Sequence, residues 1–322
     1  MNRTLVHLLQ TRETELSRRG ITWQITGVAT RKLGWLADPN GVKVEKLLAD
    51  KFAPPPETAA LSNVSEWLKA ARADVLFEAT SLSVADGQPA IQHLRAALES
   101  GAHAITANKG PIVHAYEELN SLAQTKGKRF LFESTVMDGV PIFSMFRDGL
   151  PLVDLRGFTG ILNSTTNVIL SGMEAGLSFA ESLQQAQQLG IAETDPRHDV
   201  DGWDAALKTA ALIRVLMGVP LKLDQVQREG IGSLTGEAVR AARAEGKPYK
   251  LVCRALRFEG GVYASVGPQQ VPSSGPLASV EGTSSILQLE TDIFPLLTIT
   301  EDNPGLEATA YGMLADFIRA VT

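Results

Sequence analysis

The sequence predicts a parallel α/β sheet covered by helices, followed by a second domain of the α+β class. Its 322 residues exceed what one typical hydrophobic core supports, so two domains are expected. As far as Glu133, short strand-like runs alternate with helix-like runs, which is the pattern of βαβ units and of a parallel sheet. Beyond residue 249 most runs have strand character, which indicates a sheet with helices on one side.

The first half begins with a helix-like and then a strand-like run. Residues 3–19 place their leucines near one side, so we predict an amphipathic helix. The β-branched run at residues 21–29 predicts the strand that follows. The remaining predicted helices of this half are 42–52, 65–73, 88–100 and 114–126, and the remaining predicted strands are 74–78, 103–106 and 129–133.

A turn-rich junction, T-V-M-D-G-V-P at residues 135–141, separates the two halves. A final helix, 306–321, is expected to pack back on the first domain. We therefore predict a first domain of residues 1–134 completed by residues 305–322, and a second domain of residues 135–304. The second half contains predicted strands 153–159, 249–258, 262–266, 284–289 and 296–300 and predicted helices 179–189, 202–216 and 235–245.

Composition narrows the class of protein. The formal net charge of −6 and the lack of a long Lys/Arg run argue against a nucleic-acid partner. No apolar run reaches membrane-spanning length, and polar residues interrupt the N-terminal apolar residues that a signal peptide would need. The single cysteine, Cys253, excludes an intrachain disulfide and a Cys-rich metal site. We expect a protein of the reducing cytoplasm with no membrane partner.

The stretch E-T-D-P-R-H-D-V-D-G-W-D-A-A-L-K, residues 193–208, contains the polar groups that a small substrate needs. Asp204 and Lys208 are separated by one helical turn in sequence, so they share one face of the predicted helix. Glu193 lies upstream in a loop interrupted by Pro196, so two carboxylates and an amine are able to converge. From spacing alone, an ordinary surface ion pair is the favoured explanation of Asp204 and Lys208, and the other segments of the chain change that balance.

Other polar segments follow strand-like runs. Ligands of parallel sheets bind beyond the carboxyl ends of the strands, where E-A-T-S (78–81) and T-A-N-K-G-P (106–111) are expected. Lys109 would meet a ligand there, or it is a solvated loop lysine. The cluster G-I-L-N-S-T-T-N-V-I-L, residues 160–170, either caps a helix or lines a polar pocket.

Together these segments resemble the homoserine dehydrogenase family over nearly the whole chain. The family implies a Rossmann-like nucleotide-binding domain, an α+β catalytic and dimerisation domain, and a homodimer. It also implies the NAD(P)-dependent interconversion of L-homoserine and L-aspartate 4-semialdehyde, which is a small-molecule substrate pair. The segments that carry the resemblance are T-A-N-K at 106–109, E-S-T-V-M-D-G-V-P at 133–141, G-I-L-N-S-T-T-N at 160–167 and the 193–208 stretch, with P-L-A-S-V-E-G at 276–282 and T-A-Y-G-M-L-A-D at 309–316.

The resemblance also assigns roles to residues. It makes Lys208 the proton donor and Lys109 the lysine that contacts both cofactor and substrate. An ammonium suits this chemistry, because hydride delivery to an aldehyde builds negative charge on its oxygen. The positions matched to substrate binding are Glu193, Asp204, Asn163 and Thr165.

The family resemblance further implies a site for a monovalent cation at the junction. The matching oxygens are the side chain of Glu133 and the backbone carbonyls of Val136, Asp138 and Val140, and such oxygens suit a hard cation. Asp138 stands where the family usually has a small residue.

The start of the chain departs most from the family. No G-x-G-x-x-G turn precedes the first helix, and Met1 falls inside the helix that should follow such a turn. The predicted sheet therefore lacks its central first strand, and we expect ~10–15 further residues before Met1. The cofactor-binding positions that can still be matched are Thr4, Arg31, Lys32, Thr80, Ser81, Lys109, Gly305 and Thr309.

Three further departures shape the expected activity. Arg31 and Lys32 replace an acidic residue at the end of a strand and favour a ribose 2′-phosphate, so NADP is predicted and NAD stays open. Ser164 replaces the family's usual glycine. The chain ends soon after its last helix, so we expect no feedback inhibition by threonine through a C-terminal regulatory domain. Two alternatives remain: a catalytically impaired dimeric module that binds amino acid but not cofactor, and an oxidoreductase of another amino-acid aldehyde.

Overall fold

A computed structural model describes residues 2–31, 34–48, 61 and 63–322, which divide into two compact units. Met1–Pro141 and Gly305–Thr322 form the first unit, and Ile142–Pro304 forms the second. The first unit thus continues to Pro141, whereas the predicted first domain ended at residue 134. The reason is local, because the turn after residue 135 packs against the last helix of the same unit.

The first unit contains two separate sheets. Strands β3, β4 and β5 form a parallel three-stranded sheet in that order, as predicted for βαβ units. Strands β1 and β2 form an antiparallel pair of their own, with Thr30 opposite Gly34. The elements are helices α1 (Asn2–Thr11), α2 (Glu13–Arg18), α3 (Val44–Leu48), α4 (Val64–Ala71), α5 (Ala90–Ser100) and α6 (Gly110–Thr125), and strands β1 (Gly27–Thr30), β2 (Gly34–Ala37), β3 (Val75–Glu78), β4 (His103–Thr106) and β5 (Phe130–Leu131).

Two predictions for this unit were wrong in detail. The run at residues 21–29 was expected to be a strand of the parallel sheet. Only its end belongs to a strand, β1, and this strand pairs with β2 instead of with the parallel sheet. The predicted helix 3–19 is interrupted at Arg12, whose φ of −102° and ψ of 13° are not helical. The predicted helix 42–52 is seen as α3, and its end lies outside the described residues.

The second unit is a six-stranded sheet with helices packed on it, as the α+β prediction requires. Its strand order is β11-β10-β6-β8-β9-β7, and every pair is antiparallel except β7 with β9. The elements are α7 (Ile142–Ser144), β6 (Leu155–Ile161), α8 (Ser164–Glu174), α9 (Phe179–Gln188), α10 (Arg197–Val200), α11 (Trp203–Leu216), β7 (Gln227–Arg228), α12 (Gly236–Ala244), β8 (Tyr249–Phe258), β9 (Gly261–Gln270), β10 (Ser285–Thr291) and β11 (Leu297–Glu301). The last helix of the chain, α13 (Leu306–Val321), belongs to the first unit.

Helix α13 closes the core of the first unit. Gly139 lies so near the helix that an added Cβ would collide with the backbone of Ala308 and Gly312, so glycine permits this approach. None of the described helices is long and apolar enough to cross a membrane. The buried residues of this core come from α1, α13 and the parallel strands and include Leu5, Leu8, Leu9, Leu16, Ile21, Ile105, Leu131, Ala310, Met313, Leu314, Phe317 and Ala320.

Helix α11 lies against strands β8 and β9 through small residues. Ala205, Ala206 and Ala210 are at most 1% exposed, which lets the helix approach the sheet closely. Asp204 and Lys208 lie at the edge of this buried face, and their side chains are 14% and 16% exposed. The packing of α11 therefore places a carboxylate and an ammonium in a sheltered position rather than in open solvent.

Candidate active site

Asn163 is the hub of the polar cluster in the second unit. It is the N-cap of α8, and its Oδ1 accepts hydrogen bonds from the Thr166 backbone N–H and hydroxyl, both at 2.9 Å. These bonds fix the amide so that Nδ2 points away from the helix. Nδ2 donates to Asp199 Oδ1 at 2.7 Å and to Asp204 Oδ2 at 3.1 Å. The cap of one helix thus orients two carboxylates from the 193–208 stretch.

Asp199 is a member of the cluster that sequence reasoning missed. Besides Asn163, it accepts a hydrogen bond on Oδ2 from the Thr165 hydroxyl at 2.9 Å. Burial raises the pKa of the Asp199 carboxyl, and the neighbouring charge of Asp204 raises it further. The stretch contains several aspartates, and no spacing rule distinguishes Asp199 from Asp195 or Asp201. Its role follows only from the contacts with α8.

Lys208 and Asp204 form the pair that their spacing allowed. The Lys208 Nζ lies 3.5 Å from Asp204 Oδ2 and donates to the Leu162 carbonyl oxygen at 2.6 Å. Leu162 immediately precedes the Asn163 cap, so the end of β6 holds both the amide and the ammonium. The ordinary surface pair that spacing also allowed does not fit, because both side chains are largely buried.

The segment before α11 is braced from one side. Gly202 has a φ of +80°, a conformation that glycine adopts without strain, and it begins the helix. The Arg228 guanidinium lies 3.6 Å from the centroid of the Trp203 ring and donates to the Asp201 carbonyl. Ile231 N–H donates to the Val200 carbonyl at 2.9 Å. These contacts fix where α11 starts, and hence where Asp204 and Lys208 lie.

Glu193 is not drawn into the described contacts of this cluster. It is exposed, and its backbone carbonyl accepts a hydrogen bond from Gln187 Nε2 at 3.1 Å. Of the predicted substrate-binding residues, the structure therefore brings Asn163, Thr165 and Asp204 together with Lys208. Glu193 lies at the start of the same stretch, with its carboxylate in solvent.

In the first unit, Glu78 organises the carboxyl ends of β3 and β4. It is 2% exposed and accepts from the Thr80 N–H at 2.7 Å, the Thr80 hydroxyl at 2.5 Å and the Thr106 hydroxyl at 2.6 Å. Asn108 bridges from there to α6, since its Nδ2 donates to the Thr80 carbonyl and its Oδ1 accepts from the Gly110 N–H. Lys109, between them, is therefore held on a rigid turn at the start of a helix.

The ends of β1 and β3 carry donors that suit a phosphate. Arg31 and Ser81 are exposed, and the Arg31 Nη2 lies 3.5 Å from the Ser81 oxygen. A guanidinium beside a hydroxyl matches the acceptor oxygens of a phosphate, so these two residues fit the phosphate-bearing part of a dinucleotide. Thr4 lies in the first turn of α1, whose N-terminal amides suit an anion as well. Lys32 lies outside the described residues.

The other predicted ligand positions of the first unit have protein partners. Gly305 precedes α13 in an extended conformation, and the Thr309 hydroxyl donates to the Asp138 carboxylate. The buried Glu133 carboxylate lies 3.2 Å from the Arg319 guanidinium through Oε2. Asp138 has a φ of +42°, and the turn is closed by the Val140 N–H bond to the Met137 carbonyl at 2.8 Å. In the described part of the chain, no cluster of metal-ligating side chains is found.

The raised pKa of Asp199 predicts a pH-dependent stability. The folded state holds the proton more tightly than the unfolded state, so the free energy of unfolding falls as pH rises from about 3.8 through the raised pKa. We expect Asp199→Asn to remove this loss and to raise the urea midpoint at pH 7, with the difference vanishing at pH values below 3.8. Urea unfolding across pH measures it.

Asp195 provides a control, because the pKa of its carboxyl is shifted in the opposite direction from that of Asp199. Its hydrogen bonds with exposed Arg197 lower the pKa of its carboxyl to about 2, so Asp195→Asn should slightly lower the midpoint at pH 7. A lower midpoint for Asp199→Asn at pH 7 would contradict the assignment of Asp199 as a buried, disfavoured charge.

The chain combines a Rossmann-like unit with an α+β unit that carries a carboxylate and lysine cluster, a combination typical of NAD(P)-dependent oxidoreductases of small polar substrates. Two family models match the chain: homoserine dehydrogenase, NAD binding domain, over residues 2–133, and homoserine dehydrogenase over residues 141–318. The chain belongs to the homoserine dehydrogenase family.

The chain is also similar to individual homoserine dehydrogenases, both in sequence and in structure. The NAD(+)-dependent homoserine dehydrogenase of Pseudomonas canavaninivorans is 35% identical over an alignment of 330 positions, gaps included, that covers 99% of this chain and 92% of that protein. A putative homoserine dehydrogenase from Archaeoglobus fulgidus superposes with a TM-score of 0.83 at 31% identity, covering 98% of this chain and 95% of that one. A hyperthermophilic archaeal homoserine dehydrogenase in complex with NADPH gives a TM-score of 0.82 at 26% identity, covering 100% and 94%.

These similarities bear on the two alternatives. The matched proteins are all named homoserine dehydrogenase, and each match covers at least 98% of this chain. They give no support to a module that has lost its cofactor, or to an oxidoreductase of another aldehyde.

Proposed function

We propose that this chain interconverts L-homoserine and L-aspartate 4-semialdehyde by hydride transfer, with Lys208 as the group that moves the proton. The convergence of Asp199, Asp204 and Lys208 around the Asn163 cap carries the proposal. An acidic pair beside an ammonium recognises a substrate that has both an amino group and an oxygen whose charge changes during the reaction. Family membership supplies the substrate pair.

The nicotinamide, when bound, accepts or supplies the hydride. In the reductive direction the aldehyde oxygen gains negative charge, and the Lys208 ammonium stabilises that charge and gives up a proton to form the hydroxyl. In the oxidative direction Lys208 takes the proton back. The Leu162 carbonyl and Asp204 hold Nζ in place, so little side-chain reordering accompanies the transfer.

The hydroxyl of homoserine is on the reacting carbon and the amino group is two carbons away, so the two groups need separate acceptors. Asp204 and Glu193 are proposed for these contacts, with Asn163 and Thr165 lining the same pocket. Glu193 is exposed at one end of the stretch, so it would reach the substrate from the solvent side. Lys109, at the start of α6, is proposed to contact both cofactor and substrate.

The direct test is an assay of NADPH oxidation with L-aspartate 4-semialdehyde and of NADP reduction with L-homoserine, accompanied by a titration of NADPH fluorescence. We expect turnover in both directions and saturable NADPH binding. The absence of both turnover and NADPH binding would favour the impaired module, which binds amino acid but not cofactor. Turnover with another amino-acid aldehyde, but not with aspartate semialdehyde, would place the chain with a different substrate.

NADP is proposed as the preferred cofactor over NAD. Support comes from Arg31, whose guanidinium lies beside Ser81 at the ends of β1 and β3 and suits a ribose 2′-phosphate. The Pseudomonas canavaninivorans relative is named as NAD(+)-dependent, so NAD is the competing choice.

We expect Arg31→Ala to lower kcat/KM for NADP by roughly 10- to 100-fold, the effect of losing a charged hydrogen bond, while kcat/KM for NAD changes little. Steady-state kinetics with each cofactor measure the ratio. Arg12→Ala is the control, because Arg12 is an exposed arginine of the same unit that contacts Glu15. An equal loss with both cofactors would contradict a role in recognising the 2′-phosphate.

A monovalent-cation site at Glu133, Val136, Asp138 and Val140 is a further proposal. Its support is the family resemblance and the carboxylate and carbonyl oxygens that residues 133–140 offer; in the structure, the Arg319 guanidinium lies against Glu133 Oε2. Comparing activity in potassium, sodium and tetramethylammonium chloride at equal ionic strength tests it. Equal rates in the three salts would remove the proposal.

A homodimer and a cytoplasmic location complete the proposed description. Leu256 and Tyr263 face each other across β8 and β9 and are 41% and 42% exposed, and Phe258 on β8 is 56% exposed, so the sheet offers an apolar surface to a second copy. Sedimentation velocity tests the dimer. Cys253, the single cysteine, is buried as a thiol, in keeping with a reducing compartment.

A further inference from the structure

A buried lysine lies behind the active-site cluster. Lys250, on β8, is 2% exposed, and its Nζ donates to Asn167 Oδ1 at 2.8 Å and to the Val280 carbonyl oxygen at 2.6 Å. An ammonium donates and never accepts, so it fixes which end of the Asn167 amide faces it. The amide nitrogen must then point elsewhere.

That nitrogen points to the loop before β10. Asn167 Nδ2 donates to the Gly282 carbonyl oxygen at 3.0 Å. Lys250 and Asn167 therefore hold two carbonyls of the same short loop, Val280 and Gly282, against α8. Asn167 and Val280 are 1% and 2% exposed, so water does not replace these bonds.

Helix α8 connects this clamp to the active site. Asn167 N–H donates to the Asn163 carbonyl at 3.3 Å, which makes the two residues neighbours across one helical turn. The Asn163 amide in turn holds Asp199 and Asp204, and Thr165 on the same turn holds Asp199. A shift of the first turn of α8 would move every one of these contacts.

Packing alone does not account for an ammonium at this position. Burial lowers the pKa of Lys250, while the charges of Glu174 and Glu281 oppose the shift. An apolar side chain on this strand would avoid the desolvation cost of the charge. The ammonium instead supplies two directed hydrogen bonds that an apolar side chain cannot.

We propose that Lys250 is a positioning residue of this enzyme, which locks the first turn of α8 to the 280–282 loop and so fixes Asn163 and Thr165 for the substrate. It acts through Asn167 and touches no reacting atom. This inference rests on the proposed function for its kinetic readout and on the geometry of α8 for its structural one.

The experiment compares Lys250→Met, Asn167→Ala and the double variant with Lys247→Met, an exposed lysine on the turn before β8. We expect Lys250→Met to raise KM for L-homoserine by roughly tenfold, because Asn163 and Thr165 would shift away from the substrate. KM for NADP should stay within about twofold of the parent, because these residues are not proposed to contact the cofactor. Asn167→Ala should act in the same direction. The double variant should be no worse than the more damaging single variant, since both break one clamp. Lys247→Met should match the parent.

Hydrogen–deuterium exchange provides a readout independent of turnover. We expect the amides of residues 163–167 and 280–282 to exchange faster by roughly tenfold in Lys250→Met, with the amides of α9 unchanged. If the parent does not oxidise homoserine, the proposed function fails, and the exchange of residues 163–167 still decides the positioning role.

Several results would overturn the inference: a folded Lys250→Met with homoserine KM within about twofold of the parent, additive losses in the double variant, or an equal rise of KM for NADP. If Lys250→Met does not fold, Asn167→Ala takes its place, and an unchanged homoserine KM together with unchanged exchange at residues 163–167 overturns it.

Discussion

We expect Lys208→Ala to lower kcat for homoserine oxidation by roughly two to four orders of magnitude, the usual range for loss of a general acid or base. The Lys208 Nζ donates to the Leu162 carbonyl at 2.6 Å and lies 3.5 Å from Asp204. These two contacts hold the ammonium in the polar cluster, where it is able to donate the proton. Alanine removes the proton donor and should keep the packing of α11 on the sheet, because Ala205, Ala206 and Ala210 are the small buried residues of that contact.

The control for this variant is Lys222→Ala, which removes an exposed lysine of the same unit. Far-UV circular dichroism and an NADPH fluorescence titration should match the parent for both variants, since the cofactor positions belong to the first unit. A Lys208→Ala enzyme within about threefold of the parent would remove Lys208 from the proton-transfer role, because a general acid contributes more than that.

The periodicity of apolar side chains along the sequence predicted several helices and strands with the bounds that the structure shows. The strand 103–106, the strand 249–258 and the helix 306–321 have the predicted bounds. The i,i+4 spacing of Asp204 and Lys208 likewise predicted their contact. These features follow from side-chain periodicity within one element, which a sequence displays directly.

Features that depend on distant pairing were not predictable in the same way. The strand after residue 20 was assigned to the parallel sheet, but strand partners are chosen by tertiary contacts, and β1 pairs with β2. Asp199 was overlooked because its partner Asn163 lies 36 residues away. For residues 160–170 the sequence left helix capping and a polar pocket as alternatives. In the structure Asn163 caps α8 with its side-chain oxygen, and its side-chain nitrogen also donates to Asp199 and Asp204. Helix capping and a polar cluster therefore occur at the same residue.

The second large effect is expected at Asp204. Its Oδ2 lies 3.5 Å from Lys208 Nζ and accepts from Asn163 Nδ2 at 3.1 Å, so one oxygen sets the position of both the ammonium and the amide. Asp204→Asn preserves the shape but removes the charge and places a donor where an acceptor is needed. We expect kcat to fall by roughly 100-fold, because misplacing an oriented catalytic group costs about that much.

Asp201→Asn is the matched control for Asp204→Asn, because Asp201 is an exposed aspartate one turn earlier on the same stretch and should retain the parent's kcat. The double variant Asp204→Asn/Lys208→Ala separates a shared role from two independent ones. If Asp204 acts by holding Lys208, the double variant should be about as impaired as Lys208→Ala alone, since residues that act as a unit lose activity non-additively. A double variant whose loss equals the product of the single losses would show instead that Asp204 serves the substrate independently of Lys208.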